Sequence, residues 1–255
     1  MKIDKNKLEQ LRGRAAALLY PRVCPVCNEI LPKEAVQWPD PYICPECLDG
    51  LNFLDKERRC MRCSHPLEGD AAEFCPECVN KKRYFDTGLA LMAHDDNARK
   101  IIYDLKFSSL KDNADMIAFE LVRRAGRMAQ MWGAQALIPV PLHKKRMQQR
   151  GFNQAQLIAE KFSEYARQAG FDIPPADSGY LFRCKATAPQ RSTEQNMRAA
   201  NIDGVFAVNI ADIPYKRVIL IDDIFTTGAT LNECAKTLKQ NGTSVVYFLS
   251  VSIVC

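Results

Sequence analysis

Apolar residues keep two different rhythms along this chain, and the change falls near residue 85. Beyond it, short apolar runs alternate with longer stretches whose apolar positions recur every three or four residues. Thr87 to His94 reads as a strand, and Asn97 to Phe107 and Asn113 to Met131 read as amphipathic helices. Gln135 to Val140 is strand-like and ends at Pro139-Val140-Pro141, and Asn153 to Ala169 is helical. Gly179 to Cys184, Gly204 to Val208 and Arg217 to Ile221 read as strands. A helix over Leu231 to Gln240 and a strand over Ser244 to Ile253 close the pattern. Strands alternating with helices predict an α/β fold, with a mostly parallel sheet covered by helices on both faces. Ligands of such sheets collect at the carboxyl ends of the strands.

Before residue 85 the apolar rhythm is weak and cysteine dominates. Eight of the eleven cysteines form C-x-x-C pairs: Cys24/Cys27, Cys44/Cys47, Cys60/Cys63 and Cys75/Cys78, with 16, 12 and 11 residues between successive pairs. A two-residue spacer lets both thiolates face one tetrahedral metal, and two pairs complete a four-cysteine shell. The spacing predicts two structural zinc ions. The pairing stays open between a sequential arrangement and a crossed one. Closed four-cysteine sites build structure rather than do chemistry, and here metal binding supplies stability that so short a segment lacks. His65 reads as a turn residue. The remaining thiols, Cys184, Cys234 and Cys255, read as packing groups.

Met1 to Tyr20 is a charged amphipathic stretch, read as a helix with Leu8, Leu11, Leu18 and Leu19 as packing residues. It lacks the apolar core of a secretion signal, and no run in the chain is long enough to span a bilayer. These features predict a cytoplasmic protein in three parts: an N-terminal helix (1–20), a small double zinc ribbon (21–85) and the α/β domain (86–255). With 47% apolar residues over 255 positions the chain can bury a real core, which excludes disorder. The net charge of +5 is modest, so its distribution matters more than its size.

Chemistry concentrates in two strand-to-helix connections. In the first, Val218-Ile-Leu-Ile221 runs into Asp222 and Asp223, then into Thr226, Thr227, Gly228, Ala229 and Thr230. A small-residue loop before a helix offers N–H groups and hydroxyls to an anion. Carboxylates beside it repel a bare phosphate but accept hydrogen bonds from sugar hydroxyls, so the set fits a phosphorylated ribose. Neither a phosphate-loop NTPase pattern nor a G-x-G-x-x-G turn occurs. In the second connection, a loop begins at Pro141 and carries His143, Lys144, Lys145, Arg146 and Arg150, then Gly151, Phe152, Asn153 and Gln154. Cations and a glycine ahead of a helix suit pyrophosphate.

The Asp222-to-Thr230 segment resembles the phosphoribosyl-pyrophosphate (PRPP) motif of type I phosphoribosyltransferases. The resemblance implies that Asp222 and Asp223 hold the ribose 2′- and 3′-hydroxyls and that Thr226, Thr227, Gly228, Ala229 and Thr230 cradle the 5-phosphate. Leu142 to Ala159, with Arg146 and Arg150-Gly151-Phe152-Asn153-Gln154, resembles the signature of the ComF family of competence-related proteins. Leu105-Lys106-Phe107 and a double zinc ribbon ahead of a transferase-like domain match that family too, so the likeness runs from Cys24 to Val254. Residues around Arg183, Lys185, Thr187, Gln190, Arg198 and Asn201 resemble the family's flexible loop. Arg183, Lys185 and Arg198 are thereby candidates for neutralising pyrophosphate.

Two functions follow from the resemblance. One is a PRPP-binding protein of natural transformation that handles incoming single-stranded DNA in the cytoplasm, with DNA-uptake proteins as partners. The other is an active transferase with an unknown acceptor, in which Mg²⁺ accompanies PRPP and spreads the leaving-group charge. A transferase fold retained as a scaffold for protein contacts is a third. Basic residues near Arg58, Arg59 and Arg62 and over Lys81 to Arg83 are candidates for phosphate contact, and Trp38, Tyr42, Phe53, Phe74 and Tyr84 read first as the small core of the ribbons and second as surfaces for base stacking.

Overall fold

A computed structural model describes residues 21–32, 40–55, 57–69, 72–107, 111–184, 204–209 and 215–255. In chain order its elements are α1 (Pro45–Asp49), α2 (Pro76–Asn80), β1 (Thr87–Ala93), α3 (Asp96–Phe107), α4 (Asn113–Met131), β2 (Ala136–Pro139), α5 (Lys144–Arg150), α6 (Gln154–Gln168), β3 (Leu181–Arg183), β4 (Phe206–Val208), β5 (Arg217–Phe225), α7 (Ala229–Gln240) and β6 (Val245–Ile253). Four strands pair in the order β1-β6-β5-β2, every neighbour parallel, while β3 and β4 form a separate antiparallel pair. The expected N-terminal helix over 1–20 lies outside the described residues.

Alternation along β5 sorts its side chains to two faces. Val218 and Leu220 join Leu231, Cys234 and Leu238 of α7 and Val246 and Phe248 of β6 in one core. Ile219 and Ile221 turn the other way, and α6 covers that side of β2 and β5 with Ile158 and Phe162, both fully buried. Each such apolar side chain contributes about 1.5–3 kcal/mol when taken fully out of water. The sheet therefore carries helices on both faces, as the alternating pattern predicts.

Contacts divide the chain into two compact units, Met1–Leu51 and Asn52–Cys255. The second cysteine cluster consequently lies in the unit that holds the sheet, whereas cysteine content alone places the division at 85/86. Packing accounts for the difference. Leu54, Phe85 and all four cysteines of that cluster share the α7-side core. The Phe85 ring meets Phe225 edge-on at 6.1 Å and Phe248 at 5.0 Å, and Phe225 stacks on Phe248 at 5.2 Å. Arg124 of α4 lies 3.6 Å over the Phe53 ring and pairs with Asp55 at 2.5 Å. Among the described residues, no helix is long and apolar enough to cross a membrane.

Two expectations about element bounds change. The basic segment after Pro141 is not an open loop but helix α5, whose N-cap His143 accepts a hydrogen bond from the Lys145 N–H. Gly151 ends it at φ 76°, a left-handed turn that a glycine adopts without penalty. Strand β5 runs past Ile221 to Phe225, because Asp222, Ile224 and Phe225 keep pairing with Ser250, Ser252 and Ile253 of β6. The two acids thus sit on the strand itself.

Candidate functional site

The acid pair follows the strand's alternation, so its carboxylates part company. Asp223 turns to the α6 side, where its Oδ2 accepts from Gln154 Nε2 at 3.0 Å and pairs with Lys106 Nζ at 2.5 Å. Gln154 is buried, and its Oε1 accepts from Arg150 Nη1 at 3.1 Å. Asn153 caps α6 through the Ala155 N–H and donates to the Val140 carbonyl, both at 3.0 Å. The basic helix α5 is therefore wired to the β5 carboxylate through Arg150, Gln154 and Asp223. Burial lowers the Arg150 pKa, against the pull of Asp223 and with the push of Arg146.

Asp222 turns to the α7 side and accepts the Asp223 N–H at 2.9 Å. Part of its surface is open, yet the dense protein around it strips water from the carboxyl. That burial, with the neighbouring Asp223 charge, holds its pKa well above the usual carboxylate range, and Lys106 offsets only part of it. Beneath it, the Cys234 thiol is pushed up by burial and then by the Asp222 charge.

The Thr-rich turn connects β5 to α7. Gly228 is the N-cap, at φ 72°, and a Cβ there would stand 2.4 Å from the Phe225 ring. Only glycine fits. The Ala229 N–H reaches the Thr227 hydroxyl at 3.4 Å, and Asn232 N–H closes the first helical turn on the Gly228 carbonyl at 2.8 Å. Gly228 is buried, Thr226 exposed, and Thr227, Ala229 and Thr230 half-buried, so hydroxyls and N–H groups gather at the carboxyl end of the sheet.

Of the other predicted anion-site residues, Arg146, Gly151 and Phe152 lie on or just after α5, with Arg146 and Gly151 exposed. Arg183 on β3 is close enough to Arg146 for that charge to depress its pKa, after burial. Lys185 and Arg198 lie outside the described residues, as do Thr187, Gln190, Asn201 and Trp38. Three residues absent from the sequence reading of the site belong beside it. Lys106 pairs with Asp223. His94 meets Ser252 Oγ through Nδ1 at 2.8 Å, its pKa lowered by burial and then by Arg99 and Lys106. Arg83 donates to the Thr227 carbonyl at 2.9 Å. A cavity of about 500 Å³ opens here, with Cys63, His65, Pro76 and Arg83 on one side and Thr226, Thr227 and Cys255 on the other.

The eight knuckle cysteines gather sequentially: Cys24, Cys27, Cys44 and Cys47 in one group and Cys60, Cys63, Cys75 and Cys78 in the other, with all four ligand atoms of each within 4.8 Å of one another. A tetrahedron with Zn–S arms of about 2.3 Å has edges of about 3.8 Å. The Cys27–Cys44 sulfurs stand 3.8 Å apart and the Cys63–Cys75 sulfurs 3.5 Å apart, so both groups fit zinc. Each uses the same two turns. The first is a knuckle closed by a residue at positive φ, Asn28 or Ser64, whose N–H returns to the Cys24 or Cys60 carbonyl at 2.9 Å. The second is a Cys-Pro-Glu-Cys turn, with proline at the start of α1 or α2. Cys184 and Cys255 are exposed, contrary to the packing role expected of them; Cys234 is buried as expected.

Residues 15–79 match the double zinc ribbon domain family. The chain is 30% identical to competence protein F of Haemophilus influenzae over 188 residues, 72% of this chain and 79% of that protein. It is 24% identical to the DNA utilization protein YhgH of Salmonella typhimurium over 232 residues, 90% of this chain and 96% of the relative. Competence protein ComFC of Bacillus subtilis is 24% identical over 247 residues, 91% of this chain and 95% of its own length. Ribbon, sheet and kinship agree: the chain belongs to the ComF family.

Proposed function

We propose that this chain is a PRPP-binding protein with a phosphoribosyltransferase-like domain, acting in competence. The observation that carries the reading is the Arg150–Gln154–Asp223–Lys106 network, which joins the basic helix to the strand feeding the Thr-rich turn. A ligand with phosphate at one end and pyrophosphate at the other finds donors at both. Thr226, Thr227, Gly228, Ala229 and Thr230 receive the 5-phosphate. Asp222 and Asp223 receive ribose hydroxyls, and Arg146, Arg150 and Arg183 face the pyrophosphate. Mg²⁺ would arrive with the pyrophosphate and spread its charge. Zinc, held by the two four-cysteine groups, supplies fold rather than chemistry.

The relatives' names, competence and DNA utilization, support a role in DNA uptake, and one surface favours single-stranded DNA as the cargo. Tyr103 and Phe107 are 58% exposed each, with rings 4.8 Å apart, and Arg150 lies 4.9 Å over Phe107. Lys111 lies 5.0 Å over Phe152. Exposed rings interleaved with cations are what bases and phosphates of a single strand engage. Two of the ribbon arginines are engaged within the ribbon: Arg58 donates to the Gly69 and Ala72 carbonyls and Arg62 to the Cys78 carbonyl. In the competing enzyme reading, pyrophosphate leaves with its bonding pair while the same residues stabilise the developing charges, and an acceptor takes the anomeric carbon.

Calorimetry of the zinc-loaded protein with PRPP and Mg²⁺, followed by a pyrophosphate-release assay, tests the reading. Binding without release supports a sensor, release supports a transferase, and no binding overturns both. For DNA, Phe107→Ala together with Tyr103→Ala is expected to weaken oligonucleotide binding far more than Arg58→Ala does.

A further inference from the structure

Arg83 stands just beyond the last zinc knuckle, 144 residues from its partner Thr227. Its side chain is 5% exposed, although arginine ordinarily keeps its head in water. One guanidinium N–H donates to the Thr227 carbonyl at 2.9 Å, and the other terminal nitrogen lies 3.6 Å from Glu77 of the Cys-Pro-Glu-Cys turn. Nε is buried with no hydrogen-bond partner among the described residues. Adjacent groups tie the same two segments together: Tyr84 N–H donates to Asn232 Oδ1 at 2.6 Å, and Asn232 Nδ2 to the Lys82 carbonyl at 3.4 Å.

What this does to the turn follows from peptide geometry. A trans peptide is planar, so its carbonyl and the next residue's N–H point in opposite directions. Pinning the Thr227 carbonyl toward Arg83 thus aims the Gly228 N–H away from it. The guanidinium Nη1 is 3.3 Å from where a Gly228 Cβ would be, so it lies directly against this residue. A charge-assisted bond of this kind outweighs a neutral one by about twofold and holds the peptide against rotation.

We propose that Arg83 is a positioning residue for the phosphate-binding turn, and that through Glu77 it makes the second four-cysteine cluster part of the anion site. The ligand class is a phosphate monoester such as a ribose 5-phosphate group. This rests on the PRPP reading above for the ligand, though the orientation of the turn is a property of the chain alone.

The test uses full-length, zinc-loaded, ¹⁵N-labelled protein titrated with ribose 5-phosphate, comparing wild type with Arg83→Met, Arg83→Lys and Glu77→Gln. Arg83→Met is expected to shift the Gly228 amide resonance in ligand-free protein and to weaken binding roughly tenfold, with both zinc ions retained. Lysine, which can still donate to one carbonyl, is expected to restore part of that loss. Glu77→Gln, at a half-exposed side chain, should move the same resonance by less. An unshifted Gly228 amide and unchanged affinity in Arg83→Met overturn the proposal, as does loss of affinity that only accompanies loss of zinc. Should wild type bind neither ribose 5-phosphate nor PRPP with Mg²⁺, the PRPP reading fails, while the Gly228 resonance still decides the role of Arg83.

Discussion

The two cysteine clusters are near copies in sequence and turn geometry, yet their surroundings make them different objects. In the first, Cys27 is exposed and Cys47 half-buried, in a unit that ends at Leu51. In the second, all four cysteines are buried and share a core with Phe85, Phe225 and Phe248. The first cluster shares its unit with only a few buried apolar side chains, Leu31, Ile43, Leu48 and Leu51 among the described residues, so metal binding is expected to carry much of its stability. The second is held by metal and by the sheet, and a neighbouring arginine reaches the Thr-rich turn. One motif thus serves once inside a small unit that ends at Leu51 and once as a wall of a candidate site.

Chelation should separate the two most sharply. Zinc affinity of small four-cysteine modules corresponds to about 10–16 kcal/mol, so stripping the metal should unfold residues 21–51 outright. The sheet should survive, and protease cleavage followed in time should appear first before Leu51. Simultaneous loss of both clusters at one chelator concentration would erase that distinction.

Next in size is Phe85→Ala, which empties a fully buried aromatic site between the second cluster and the sheet. It should cost about 3–5 kcal/mol of unfolding free energy, read by denaturant titration. Zinc should leave the second cluster sooner than the first, reversing the wild-type order.

Gly228→Ala comes third. The new methyl meets the Phe225 ring and the backbone must keep φ 72°, so a loss of about 1–3 kcal/mol is expected. PRPP binding should fall with it while the zinc content stays at the wild-type level.

The smallest effect carries the opposite sign. Asp222 has a folded pKa raised by burial, so above about pH 4 the unfolded chain gives up its proton first and stability declines as pH rises. Asp222→Asn removes that decline. The variant should melt at a higher temperature than wild type near pH 7, should match it near pH 4, and should bind PRPP poorly. A variant less stable than wild type at pH 7 would contradict the burial argument.

Much of this was legible in the chain. Apolar periodicity marked the main helices and most of the strands, because burial of one face dominates their stability. Helix α5 was hidden, since Lys144 to Arg150 holds one apolar residue, Met147, and is fixed by its caps instead. The acid pair was recognisable, but its placement on β5 depends on Ser250 and Ser252 continuing the ladder. Arg83 could not be found from its neighbours, where it reads as the third member of a basic run. Its partner is distant in sequence, and only folding brings the carbonyl to it. The short helices α1 and α2 were not expected from the cysteine spacing; the signal that could have found them is the proline at the first helical position of each Cys-Pro-Glu-Cys turn.

The exposed Cys255 has a practical consequence. It lines the cavity beside Thr226 and Thr227, whereas Cys234 is buried and its thiol is held protonated. With the eight knuckle thiols occupied by metal, a maleimide fluorophore has only Cys184 and Cys255 to react with. Cys184→Ser then leaves a single dye at the mouth of the cavity. Occupancy of the turn could be followed in real time by its emission, with no new cysteine introduced.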